Sequence, residues 1–350
     1  MNYQPTDFIV YSSDAQRAVA NLEQGYTAWL NTERALSELP ASMYWAVKNA
    51  TDYLTAKLNS TDSGTSMGVR SDVTEAKFAS YISEKTALQE RLMQQTAILT
   101  QRIAIYRTRA LRLPQMADDP AEILRKLDIE ELLGNDVIVV GTNAFAAYEL
   151  ACGARFPVGN EPTQDFDMAW CRKRKASLLT KQGITQDKPR KTIFSLLREV
   201  DKSYRINPKR PYQAINADLY EVELLAAPST HPLPKAEAFD PMASLIEQEW
   251  LLLGQPISVV TATQRGRVCP LVVPDPRWMA LHKLWLADKP ERKASKREKD
   301  RRQGYVLLDA VRFFMQASHP INVEFAMDVP AELRHIFDEW CALTHHVPER

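Results

Sequence analysis

Between residues 13 and 113 apolar side chains recur at helical rather than alternating spacing, with few strand signals. The clearest stretch follows Ser71, where Phe78, Tyr81, Leu88, Leu92, Leu99, Ile103 and Tyr106 are separated by three, four or sums of these, and Lys85 and Gln95 interrupt the seam. Ser71 is placed to cap this helix, and Asp72 and Glu75 fall in its first turn, where the helix dipole favours negative charge. Unbroken, the helix extends about 60 Å. Its apolar stripe needs a neighbour, and residues 15–36 are the expected partner in a helical hairpin; dimerisation or a protein partner through these helices is the alternative. Residues 58–70, rich in Ser, Thr, Asp and Gly, are expected to form the intervening loop.

Past a boundary at Leu113-Pro114 to Pro120 the pattern changes. Residues 121–133 suggest a short helix, and the β-branched run Val137-Ile138-Val139-Val140 suggests a buried strand, followed by Gly141, Thr142 and the helical residues 145–150. Residues 163–170 alternate, placing Phe166, Met168 and Trp170 on one face and Asp165 and Asp167 on the other. Residues 219–225 alternate likewise, with Tyr220, Val222 and Leu224 opposite Glu221 and Glu223. A hairpin is expected from residues 257–263 and 268–273 about Gln264-Arg265-Gly266-Arg267, then a helix over 277–287 carrying Trp278, Met279, Leu281, Leu284 and Trp285.

The 350-residue chain is 45% apolar, enough for a sizeable core and two or three domains. Forty-four acidic residues balance 44 basic ones, so bulk charge indicates neither a nucleic-acid nor a membrane partner, and any electropositive surface must be local. Two runs qualify, Arg172-Lys173-Arg174-Lys175 and residues 188–191, either as solvated side chains or as contacts for triphosphate or an RNA backbone. Cys152, Cys171, Cys269 and Cys341 lack zinc-site spacing and disulfide density, which suits a reducing cytoplasm. Neither a leader-like N-terminus nor an apolar run of about 18 residues occurs, so neither export nor a membrane span is expected. Asp165 and Asp167 can reach one cation, as in metal-dependent phosphoryl-transfer sites, with a third carboxylate available from the 219–225 strand. Gly141 lets the backbone approach a ligand, and the helix start behind it offers N–H groups to a phosphate. His282 is expected to be a packed or hydrogen-bonded structural residue, because no second histidine lies at metal spacing. Residues 289–302, with eight positive and three negative side chains, are expected to form an exposed helix face, on which Lys296 and Lys299 are neighbours.

In this order, a strand ending in glycine and a hydroxyl residue, an acidic-x-acidic strand and a further acidic strand resemble the nucleotidyltransferase superfamily that includes the polymerase beta-like enzymes. Gly141-Thr142, Asp165/Asp167 and Glu223 carry the likeness. A narrower similarity, to a bacterial family of nucleotidyltransferase-fold proteins, rests on Gly68, Arg70-Ser71, Thr74-Glu75, residues 141–149, Thr163, residues 281–285, Lys296, Lys299-Asp300 and Gln303, and spans roughly residues 44–314. Thr142 stands where the superfamily more often has Gly or Ser, and Glu223 where it has Asp.

The resemblance implies an α+β fold: a mixed-sheet nucleotidyltransferase core (116–275) between an N-terminal helical region with a long helix (1–115) and a C-terminal helical region (276–350). It implies transfer of a nucleoside monophosphate from a nucleoside triphosphate such as ATP to an acceptor hydroxyl, with pyrophosphate release. Asp165, Asp167 and Glu223 would be the catalytic residues and bind Mg²⁺, or Mn²⁺. Gly141, Thr142, Lys283, Lys296, Lys299 and Arg70 would contact the nucleotide. The acceptor stays open among an RNA 3′ end (tRNA included), a protein side chain and a small molecule. Resemblance to nucleotidyltransferases of toxin and phage-defence systems implies a regulatory or toxic role. Two rivals are a catalytically inactive version of the fold that binds RNA or a protein partner, and an Asp-x-Asp glycosyltransferase.

Overall fold

The computed structural model describes residues 6–59, 62–157, 166–171, 191–230, 237–240 and 246–349. In chain order these form β1 (Ile9–Val10), α1 (Ser13–Glu38), β2 (Ser42–Lys48), β3 (Thr51–Lys57), β4 (Thr65–Val69), α2 (Asp72–Tyr106), β5 (Gln115–Met116) and α3 (Asp118–Ile129). There follow β6 (Val137–Val139), α4 (Phe145–Cys152), β7 (Ala154–Arg155), β8 (Phe166–Trp170), α5 (Ile193–Val200), β9 (Arg205–Asn207), β10 (Arg210–Ile215) and β11 (Glu221–Ala226). The remainder comprises β12 (Ile257–Thr263), β13 (Val268–Val273), α6 (Pro276–Asp288), α7 (Ala294–Phe314), α8 (Val323–Asp328) and α9 (Ala331–Thr344). The fold is α+β, with mixed sheets and helices toward both termini. No helix among the described residues is long and apolar enough to cross a membrane.

The described residues divide into two compact units: one takes those up to Ala20, those between Ile103 and Ala176 and those from Thr192 onward; the other takes those of Asn21–Arg102 and Lys191. In the smaller unit, the Trp29 indole N–H donates to Thr96 Oγ1 across 3.1 Å, joining α1 to α2. The N-terminus of α2 is closed reciprocally, the Ser71 N–H donating to Thr74 Oγ1 and the Thr74 N–H to Ser71 Oγ. An entirely helical region is not what forms here. Strands β2, β3 and β4 make an antiparallel sheet, and β4 occupies part of the expected loop. The β2–β3 turn is only two residues, Asn49 and Ala50, both at positive φ (49° and 61°), as tight hairpin turns require. With alanine where glycine is usual, the sequence signal for that turn is weak.

The larger unit is organised around a five-stranded mixed sheet in the order β6-β8-β11-β10-β9. Strand β8 runs antiparallel to β6 and parallel to β11, which is antiparallel to β10. The alternation expected along β8 and β11 holds: Phe166, Met168, Val222, Leu224 and Ala226 are buried on one face. Each of these side chains larger than alanine contributes roughly 1.5–3 kcal/mol, so the apolar residues fix the register and thereby which residues face the other side. The hairpin β12–β13 and the helix now labelled α6 form where the pattern placed them. Helices α6 and α7 approach closely at Gly304, where a Cβ would fall 2.5 Å from Leu284 Cγ and 3.0 Å from the Ala280 carbonyl oxygen. No larger residue fits without separating the two helices.

Candidate active site

The polar face of β8 and β11 carries the acidic residues. Asp167 and Glu223 are direct partners in the parallel ladder, so their backbones lie one strand spacing apart, about 4.8 Å. Glu221, two residues before Glu223, shares that face. On the next strand, β10, Gln213 pairs with Glu223 and is 1% exposed. Its Nε2 donates to Glu221 Oε2 (2.9 Å) and Glu223 Oε1 (3.1 Å), while its Oε1 accepts from Asn207 Nδ2 (2.6 Å). One buried amide therefore orients both glutamates.

Asp167 is constrained from the other side by the chain leaving β6. The Val140 N–H donates to the Asp167 carbonyl at 3.1 Å. Gly141 then takes φ +70° and opens a short 3₁₀ turn, Gly141–Ala144, that leads into α4. A Cβ on Gly141 would fall 2.6 Å from Asp167 Oδ2. Both the conformation and the space demand glycine, and the carboxylate occupies the room a side chain would fill.

These groups line one cleft of about 420 Å³ whose wall includes Gly141, Asp167, Arg210, Glu221, Glu223, Lys283, Arg292 and Lys296. Carboxylates and cations therefore face the same space, the combination needed to hold a divalent ion and the phosphates it bridges. Lys283 on α6 is buried, its Nζ donating to Asp300 Oδ1 on α7 at 2.9 Å. The Arg292 guanidinium bonds the other oxygen of Asp300. Burial pushes the Lys283 ammonium below the usual lysine range, with Asp300 first and Asp167 more weakly opposing the shift. The cation that sequence reasoning aimed at phosphate is thus fixed to a buried carboxylate at the cleft wall. The 289–302 segment is accordingly not a uniformly exposed face: Asp300 is 2% exposed.

Other residues singled out in the sequence fall as follows. Thr142 is buried in the 3₁₀ turn. Lys296 is exposed and lines the cleft, whereas Lys299, half-buried on α7, is not part of the lining. Arg70 belongs to the smaller unit, where it bonds Glu75 (2.8 Å) and Asp52 (3.1 Å) and lies over the Trp45 ring; those carboxylates raise its already high pKa. Asp165, Thr163, Arg172-Lys173-Arg174-Lys175 and residues 188–190 lie outside the described residues. Among the described residues no group of three or more His, Cys, Asp or Glu is arranged to hold a metal ion. The described part supplies Asp167 and Glu223, hard oxygen donors that suit Mg²⁺.

Sequence reasoning did not single out Gln213, Arg210, Arg292 or Gln248, all of which stand at the cleft or orient its acids. Nothing in a strand's alternation marks a buried glutamine, and Arg292 is one charge in a charged run.

No curated protein and no solved structure matches the chain. A family model described as Nucleotidyltransferase matches residues 118–329, from the first turn of α3 to just past α8, and so takes in every element that builds the cleft. Since that match covers more than half of the sequence and contains the Gly141 turn, Asp167 and Glu223, the chain belongs to the nucleotidyltransferase family.

Proposed function

We propose that this protein is a Mg²⁺-dependent nucleotidyltransferase that moves a nucleoside monophosphate from a nucleoside triphosphate to the 3′ hydroxyl of an RNA. The observation that carries the reading is the in-register pair Asp167–Glu223, set beside Gly141 in a cleft that also presents Arg210, Lys283, Arg292 and Lys296. RNA is preferred to a protein acceptor because two basic runs, residues 172–175 and 188–191, follow the acidic strand in the sequence.

In this reading Asp167 and Glu223, with Asp165, which the sequence alternation pairs with Asp167, would hold the ion, which would supply charge compensation to the triphosphate. The acceptor oxygen attacks the α-phosphorus, the bond from that phosphorus to the bridging oxygen breaks, and pyrophosphate leaves. Glu223, held by Gln213, takes the proton of the attacking hydroxyl. Arg210, Arg292 and Lys296 balance the charge of the departing phosphates, and Gly141 leaves Asp167 room to keep its position. Transfer of label from each of the four α-labelled nucleoside triphosphates to total cellular RNA and protein, with Mg²⁺ or Mn²⁺, tests the reading. Metal-dependent label that nuclease removes and protease does not supports it; label that only protease removes transfers the reaction to a protein acceptor. Absence of label with every nucleotide counts against nucleotidyl transfer.

A further inference from the structure

The cleft has a second, uncharged component. Gln248, in the 3₁₀ turn Ile246–Leu252, and His282, on α6, both line it and are 5% and 6% exposed. Gln248 Oε1 and both ring nitrogens of His282 lack a hydrogen-bond partner among the described residues. Buried polar atoms are ordinarily paired, and three unpaired ones on two residues that line one cleft mark a place prepared for something else. The imidazole packs between aromatic rings: it stacks on Trp285 at 6.4 Å and 21° and meets Trp250 edge-on at 6.4 Å. Burial, reinforced by the neighbouring Lys283 ammonium, pushes its pKa down to about 3, so the ring is neutral and offers one donor and one acceptor. Beside these groups the lining includes the apolar Leu251, Met279 and Leu286 together with the charged Glu247 and Lys283. Apolar side chains interspersed with a few fixed hydrogen-bonding atoms suit a planar heteroaromatic ring.

We infer that Gln248 and His282 form a subsite that binds the nucleobase edge of the nucleoside triphosphate, separately from the charged groups that hold its phosphates. The inference rests on the nucleotidyltransferase reading and adds what selects the nucleotide. Gln248 Oε1 can only accept, so it takes an N–H of the base, and the neutral imidazole supplies a donor or acceptor beside it. A site built this way discriminates strongly, because a base that cannot pair leaves the buried atoms unsatisfied.

The test measures binding of the four nucleoside triphosphates and of inorganic tripolyphosphate, each with Mg²⁺, to the full chain and to His282→Phe and Gln248→Met, which replace the polar atoms by apolar ones of similar shape. The two substitutions lie on different elements, so failure of one to fold leaves the other informative, and thermal melting checks both. The expected result is that the wild type binds one nucleoside triphosphate at least about tenfold more tightly than the others and than tripolyphosphate. Each variant then loses about tenfold of that preference, one hydrogen bond's worth, with tripolyphosphate binding unchanged. Folded variants that bind and discriminate as the wild type does would overturn the inference alone, showing that water satisfies these atoms. A wild type that binds neither the nucleotides nor tripolyphosphate would overturn the functional reading on which it rests.

Discussion

Replacing Gly141 with alanine separates the geometry of the site from the stability of the fold. Two costs attach to the substitution. The first is conformational: at φ +70° an L-residue loses roughly 1–2 kcal/mol. The second is steric: the new Cβ would fall 2.6 Å from Asp167 Oδ2 and reaches ordinary contact only near 3.4 Å, so the carboxylate must retreat by about 0.8 Å. A displacement of about 1 Å at a reacting centre costs on the order of a hundredfold in rate. Gly153 supplies the control. It sits at φ +64°, closing α4, yet a Cβ there meets nothing nearer than Gln16 Nε2 at 3.9 Å. Gly153→Ala carries the conformational cost without the clash. The account therefore expects both variants to melt lower, Gly141→Ala by at least as much as Gly153→Ala, while transfer of α-label falls about a hundredfold in Gly141→Ala and stays within about threefold in Gly153→Ala. Near-normal transfer by folded Gly141→Ala, or an equal loss in both, would refute the claim that this glycine serves Asp167.

Three further outcomes follow from the same contacts. Gln213→Met leaves Glu221 and Glu223 without their shared donor and should lower transfer about 10- to 100-fold; unchanged rates would show that the amide does not position Glu223. Lys283→Met removes one partner of a buried ion pair and should destabilise the protein by about 3 kcal/mol in chemical denaturation, the low end for such pairs because Arg292 still bonds Asp300; a loss below about 1 kcal/mol would contradict it. His282 has a pKa lowered from 6.5 to about 3 in the fold, so between these values the unfolded chain binds the extra proton and stability rises with pH. The histidine's contribution is complete above pH 6.5 and declines by up to about 1.4 kcal/mol per unit on acidification. The stability curve of His282→Phe should therefore be flatter than the wild type's below pH 6.5, and parallel curves would mean that the imidazole is not kept neutral.

What the sequence revealed and concealed follows from the range over which each feature is encoded. The face of β8 that carries Asp167, the Glu221/Glu223 face of β11 and the β12–β13 hairpin are period-two patterns complete within a few residues, and each forms where alternation put it. Helix α2 announces itself by its stripe and its Ser71 cap. The β2–β4 sheet stayed hidden because it interrupts a helical stretch and turns on Asn49-Ala50 without a glycine. Features formed between distant residues left no local trace: Gln213 acquires its role from a glutamate ten residues away across a strand pair, and Lys283 finds Asp300 only because Gly304 lets two helices close together. His282 reads as a structural histidine, and its packing between tryptophans agrees, but only the fold reveals that its nitrogens lack partners among the described residues.

The central claim is that the α-phosphoryl group, with its nucleoside, moves to the acceptor while pyrophosphate leaves. The most direct test runs parallel reactions with α-labelled and γ-labelled forms of the preferred nucleotide, using the wild type and Asp165→Ala/Asp167→Ala. The account predicts α-label on the acceptor, γ-label in pyrophosphate and neither product from the folded double variant. Label from the γ position on the acceptor, or undiminished transfer by the double variant, would contradict it.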